Sequence, residues 1–122
     1  MDHFQLTLPA DPKYLSLARL VASGIVLEKR LPIDDVEDIQ LLMTESLNLA
    51  LISKVAQELT IDIDLSEGEI SFSVSGVDRD RVEGDEKLRF SEMILDSLAD
   101  GMSIDGGAIH IVKALRTEDP LG

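Results

Sequence analysis

Residues 61–74 read Ile61-Asp62-Ile63-Asp64-Leu65-Ser66-Glu67-Gly68-Glu69-Ile70-Ser71-Phe72-Ser73-Val74. Apolar side chains occupy alternate positions on both sides of Ser66-Glu67-Gly68-Glu69, which is the period of a strand with one buried face. The pattern predicts a hairpin with a wet face carrying Asp62, Asp64, Ser71 and Ser73. A sheet with one apolar face needs a second layer to cover it.

The sequence on either side supplies that layer. Upstream, Asp34 or Asp35 is placed to cap a helix running to about Gln57, with Val36, Ile39, Met43, Leu47, Ala50 and Leu51 on its buried face. Acidic residues Asp34, Asp35, Glu37 and Asp38 crowd its first turn, where the helix dipole favours them. Before it, Asp11-Pro12 opens another helix that reaches about Arg30, with Leu15, Ala18, Ala22, Ile25 and Val26 on one side. Phe4, Leu6 and Leu8 alternate ahead of Pro9 as a first strand.

Downstream, residues 78–89 hold nine charges in twelve positions, five acidic and four basic, and read as a solvated loop. Phe90, Met93, Ile94, Leu95 and Leu98 then mark a third helix, and Asp105-Gly106-Gly107 turns a second hairpin. Residues 117–122 read as a frayed tail. The order predicts a single domain over 1–122 of α/β (α+β) class. Its expected form is a two-layer sandwich, a mixed sheet with three helices on one face.

Composition narrows the function. Eleven Lys and Arg stand against 24 Asp and Glu, a formal charge of −13, and no basic stripe stands out. Phosphate backbones and anionic membrane surfaces are repelled by such a chain. With 44% apolar residues the chain can build a core despite this charge. It has no cysteine, and its two histidines, His3 and His110, are far apart. Disulfides, thiol chemistry and Cys- or His-rich metal sites therefore have no material. The opening Met1-Asp2-His3-Phe4 lacks the basic and apolar regions of a signal peptide, and no apolar stretch approaches ~20 residues. A cytoplasmic location without a bound metal is expected.

Three stretches resemble a known family: Leu6-Thr7-Leu8-Pro9-Ala10 with the Tyr14–Gly24 helix; Asp35-Val36-Glu37-Asp38-Ile39 into Met43-Thr44-Glu45-Ser46-Leu47; and Leu95-Asp96-Ser97-Leu98-Ala99-Asp100 with Gly106-Gly107-Ala108-Ile109-His110-Ile111. Their order is similar to that of the small anti-sigma-factor serine-protein kinases of bacterial partner-switching systems. These belong to the GHKL ATPase superfamily, with histidine-kinase catalytic domains, gyrase B and MutL. The resemblance implies a Bergerat-type sandwich, an N-box glutamate at Glu45 that activates the attacking group, and a Mg²⁺-holding asparagine one helical turn later.

Leu49 stands at that asparagine position, and a hard cation wants oxygen ligands. Asn48, three residues after Glu45, shares the helix face and is the candidate substitute. The family's adenine-reading Asp-x-Gly-x-Gly corresponds to Val74-Ser75-Gly76-Val77-Asp78, where Gly76 replaces the aspartate and Asp78 is at most a displaced one. The phosphate-holding glycines before the last helix correspond to Arg89-Phe90-Ser91. The short charged run 78–89 replaces the lid.

The combined loss favours a non-catalytic relative that binds a protein, with no cofactor. By resemblance the partner is a sigma factor or an anti-sigma-factor antagonist, and a homodimer is expected. Two alternatives stay open. One is an active Mg·ATP-dependent serine kinase using Glu45, with Asn48 and Asp78 at the nucleotide. The other is a structural adaptor unrelated to sigma control. The remaining signals have plain readings: Asp105-Gly106-Gly107 as a turn, His110 on the sheet's open face, Arg79, Arg81 and Arg89 as self-paired surface charge, and Asp62, Asp64, Glu67 and Glu69 as a solvated acidic hairpin.

Overall fold

The hairpin at 61–74 is formed by β2 (Glu58–Leu65) and β3 (Glu69–Ser75) in a computed structural model that describes residues 1–27 and 29–116. Residues 117–122, expected to fray, lie outside the described residues. Ile61 faces Val74, Ile63 faces Phe72 and Leu65 faces Ile70 across the ladder, all six buried. The intervening Asp62–Ser73 and Asp64–Ser71 pairs lie on the half-exposed face. The alternation read from sequence is therefore the alternation of the sheet.

Three further strands complete it: β1 (Asp2–Pro9), β4 (Gly101–Asp105) and β5 (Ala108–Ala114), in the order β1-β2-β3-β5-β4. Every ladder is antiparallel, so the expected mixed sheet is corrected. The connections explain this. Between β1 and β2 the chain makes two helices, α1 (Leu15–Val26) and α2 (Ile33–Ser53). Two helices reverse the chain three times in all, which returns β2 antiparallel to β1. A single long helix, α4 (Glu86–Leu98), separates β3 from β4. That crossover would leave β4 parallel to β3, but β5 lies between them and is antiparallel to both.

The Asp105-Gly106-Gly107 turn is built as read, with Gly106 at φ 59° and Gly107 at φ 77°, the left-handed backbone of a tight hairpin. Asp11 accepts from the Lys13 amide at 3.0 Å and caps a 3₁₀ turn, Pro12–Tyr14, that leads into α1. The helix ends at Val26 rather than Arg30. Neither Asp34 nor Asp35 caps α2; Pro32 holds that place, and Asp35 is turned inward with 2% exposure. Lys54, at φ 54°, stops α2 just after Ser53, short of Gln57.

The largest correction falls on 78–89. This run is helical, forming α3 (Arg79–Glu83) and the start of α4, which makes four α-helices instead of three. Asp78 caps α3 and Asp85 caps α4. Val82 and Leu88, the run's two apolar side chains, are 0% and 2% exposed. Charge count alone hid these two anchors: one buried side chain per turn fixes a short helix however polar its other sides are.

Candidate functional site

The second helix carries the residues on which the function turns. Its buried stripe includes Asp35, Ile39, Leu42, Ser46, Leu49 and Ser53. Glu45 and Asn48 lie off this stripe and are half-exposed. Both line a groove of about 480 Å³ between α2 and α4, together with Glu86, Lys87, Phe90 and Ile94. The structure thus brings Glu45 and Asn48 together, as their three-residue spacing implies.

Leu49 is 0% exposed, a single step of about 100° around the helix from Asn48. The helix α2 packs on α1, α3 and α4 and on strands β3 and β5. The position that corresponds to the family's metal-holding asparagine is therefore part of the apolar core. Beside it in the same cluster are Val77, Val82 and Leu88.

Asp78 is not brought to the Glu45 groove. Its carboxylate accepts from the Asp80 amide at 3.0 Å, the cap of α3. At the start of α4 the Asp85 carboxylate takes the Lys87 and Leu88 amides at 2.8 and 3.2 Å. These first-turn N–H groups are the ones a phosphate would need. Gly76, at the family's aspartate position, has φ 81°, and its amide donates to the Gly107 carbonyl at 2.9 Å. An added Cβ there would meet Leu59 Cδ2 at 2.9 Å. Backbone closure between β3 and the β4–β5 turn requires this glycine.

Of Arg79, Arg81 and Arg89, read as self-paired surface charge, Arg79 alone makes an ion pair among the described residues. Arg79 meets Glu92 at 2.6 Å, and His110 meets Asp105 at 3.2 Å. On the open sheet face His3 meets Asp64 at 2.8 Å, and Gln5 donates to Asp62 at 2.8 Å. Among the described residues no cluster of three or more His, Asp or Glu could hold a metal. No helix there is long and apolar enough to cross a membrane.

Sequence reasoning missed two features. Asp35 receives Arg116 through two guanidinium nitrogens, at 2.6 and 3.2 Å, and through the Arg116 amide at 3.3 Å. The Arg116 hydrogen bonds hold the Asp35 carboxyl below its ordinary range, against burial that raises it. The reciprocal bond raises Arg116. No local signal joins residues 81 positions apart. The second feature is exposed apolar surface: Phe90 and Met93, read as helix-core positions, are 59% and 60% exposed. Leu41 and Ile52 are 40% and 44% exposed. Their signal was present, since both lie off the buried stripe of α2.

No family model matches the chain. It is similar to the serine-protein kinase RsbW of Bacillus velezensis, 29% identical over 83 residues, covering 68% of this chain and 47% of the kinase. The chain thus spans about half the length of the curated relative it matches. The fold matches a crystal structure of the RsbU and RsbW domains of a Mycobacterium tuberculosis protein, with TM-score 0.68 and 15% identity over 98% of this chain and 34% of that one. The resemblance to GHKL-type anti-sigma kinases holds in sequence and in fold.

Proposed function

We propose that this protein is a non-catalytic relative of the anti-sigma serine-protein kinases that regulates by binding a protein in a partner-switching pathway. The observation that carries this reading is the complete burial of Leu49 in the hydrophobic core. Where the family holds Mg²⁺, the chain has a core leucine. Arg89-Phe90-Ser91, read as standing before the last helix, lies inside α4, and Asp85 takes the amides at that helix's start. Asp78, the candidate for reading adenine, serves as a helix cap. These donors do not fit Mg·ATP: a carboxylate at a helix N-terminus repels the anion that its amides would otherwise attract. A sigma factor or an anti-sigma-factor antagonist is the partner class, a cytoplasmic homodimer the expected state.

Isothermal titration calorimetry with Mg·ATP tests the reading. No heat of binding is expected at millimolar nucleotide; tight binding with phosphorylation of a partner protein would overturn it. One observation favours a second reading, an active serine kinase: Glu45 and Asn48 share a groove wall. Loss of a measured phosphoryl transfer in Glu45→Ala would establish that alternative.

A further inference from the structure

The groove between α2 and α4 has more apolar surface than a solvated helix pair needs. On α2, Leu41, Glu45, Asn48 and Ile52 recur at the four- and three-residue steps of one helix face. On α4, Phe90 and Met93 are the most exposed apolar side chains of the helix. Phe90 and Ile94 form the opposite wall from Glu45 and Asn48. A half-exposed aromatic beside a groove has the composition of a protein-binding hot spot.

Charge specifies the occupant. The α2 sequence holds five acidic residues and no Lys or Arg. Asp35 and Asp38 are matched by Arg116 and Lys113. Glu45 and Glu86 line the groove and make no ion pair among the described residues, with Lys87 as the one basic lining residue there. The groove thus sets apolar Phe90 and Ile94 between two carboxylates, Glu45 and Glu86, that no ion pair among the described residues engages.

We propose that this groove binds a basic amphipathic helix of a protein partner, an inference that rests on the protein-binding reading above. The face of α2 that carries Glu45 and Asn48 continues from Leu41 to Ile52, both exposed, over about 16 Å, or roughly three helical turns. A third helix laid between two others buries its apolar stripe in the groove they form. Its apolar residues would meet Phe90, Ile94, Leu41 and Ile52, while flanking Lys or Arg would meet Glu45 and Glu86. The carboxylates set orientation and speed of encounter, and the apolar contacts hold the complex.

The test is an amide NMR titration with a synthetic 18-residue Leu/Lys peptide patterned as an amphipathic helix. A peptide of the same composition with the pattern scrambled is the control. The patterned peptide is expected to shift amides at 41–52 and 86–94, and to bind at least about 10-fold more tightly than the scrambled one. Phe90→Asp should weaken it by at least about 10-fold, and Phe90→Ala by a smaller factor in the same direction. Equal affinity for both peptides, shifts centred on Asp62 and Asp64, or unchanged binding in both Phe90 variants would overturn the proposal. Mg·ATP added to the same sample separates the two levels of inference. Shifts at Leu49, Val82 and Leu88 would overturn the non-catalytic reading and the groove with it. Inertness to both Mg·ATP and the patterned peptide would overturn the groove alone.

Discussion

Asn48 and Leu49 are adjacent in the chain, and the step of about 100° between them separates a groove wall from the core. On the side of Leu49, α2 carries fully buried Leu42, Ser46, Leu49 and Ser53. On the side of Asn48 it carries Glu45 in the wall of an open groove, with exposed Leu41 and Ile52 one turn before and two turns after Glu45. The inner side has become core even where two serine hydroxyls, Ser46 Oγ and Ser53 Oγ, find no hydrogen-bond partner. The outer side keeps polar groups beside apolar ones that nothing covers. Tight packing leaves no room for a nucleotide at Leu49, while uncovered apolar surface favours a macromolecular contact. One helix thus supplies stability on one side and, on the proposed reading, recognition on the other.

Substitutions can break this contrast. Leu49→Asn restores the residue type of the nucleotide-binding family and should destabilise the fold by about 3–5 kcal/mol, because lost apolar burial adds to an unpartnered amide. Urea unfolding measures it, and an unchanged midpoint would show that Leu49 is not core. Leu88→Ala tests whether the 78–98 segment is anchored on that inner side; its expected cost is about 2–4 kcal/mol by the same measurement.

Arg116→Ala probes the end of the inner stripe at Asp35, and its effect depends on pH. The Asp35 pKa is lowered in the folded protein, so the stabilisation is present above the ordinary carboxylate pKa of about 3.9 and is lost as pH falls through the folded value. The thermal midpoints of variant and parent should therefore differ at pH 7, begin to approach each other below about pH 4, and converge only once pH falls below the lowered folded value. A gap that persists at acid pH would assign the effect to packing instead. The smallest change is expected on the outer side. Asn48→Ala and Glu45→Ala should each move stability by no more than about 0.5 kcal/mol. A larger loss in either would erase the distinction between the two sides.

How much could be read in advance differs from segment to segment. The 61–74 and 105–107 turns were legible because alternation and glycine placement are local consequences of strand geometry. Glu45 and Asn48 were correctly placed on one face, since helical spacing is equally local. The 78–89 run was misread because charge density dominates a composition argument, whereas Val82 and Leu88 fold it by docking on other elements. The extra helix follows from the same contacts. The antiparallel sheet depended on β5 inserting between β3 and β4, a pairing that no single segment encodes.

The sequence by itself determined the layers of this protein, the wet face of its sheet and the departures from nucleotide-binding motifs, because each is written in residue type and short spacing. Only the tertiary structure decided that Leu49 is core, that Asp85 occupies the amides at the start of α4, that Asp35 pairs with Arg116, and that Phe90 faces an open groove. Those facts depend on which elements meet in space. Burial and charge pairing are properties of a contact between distant parts of the chain, and a contact exists only once the chain is folded.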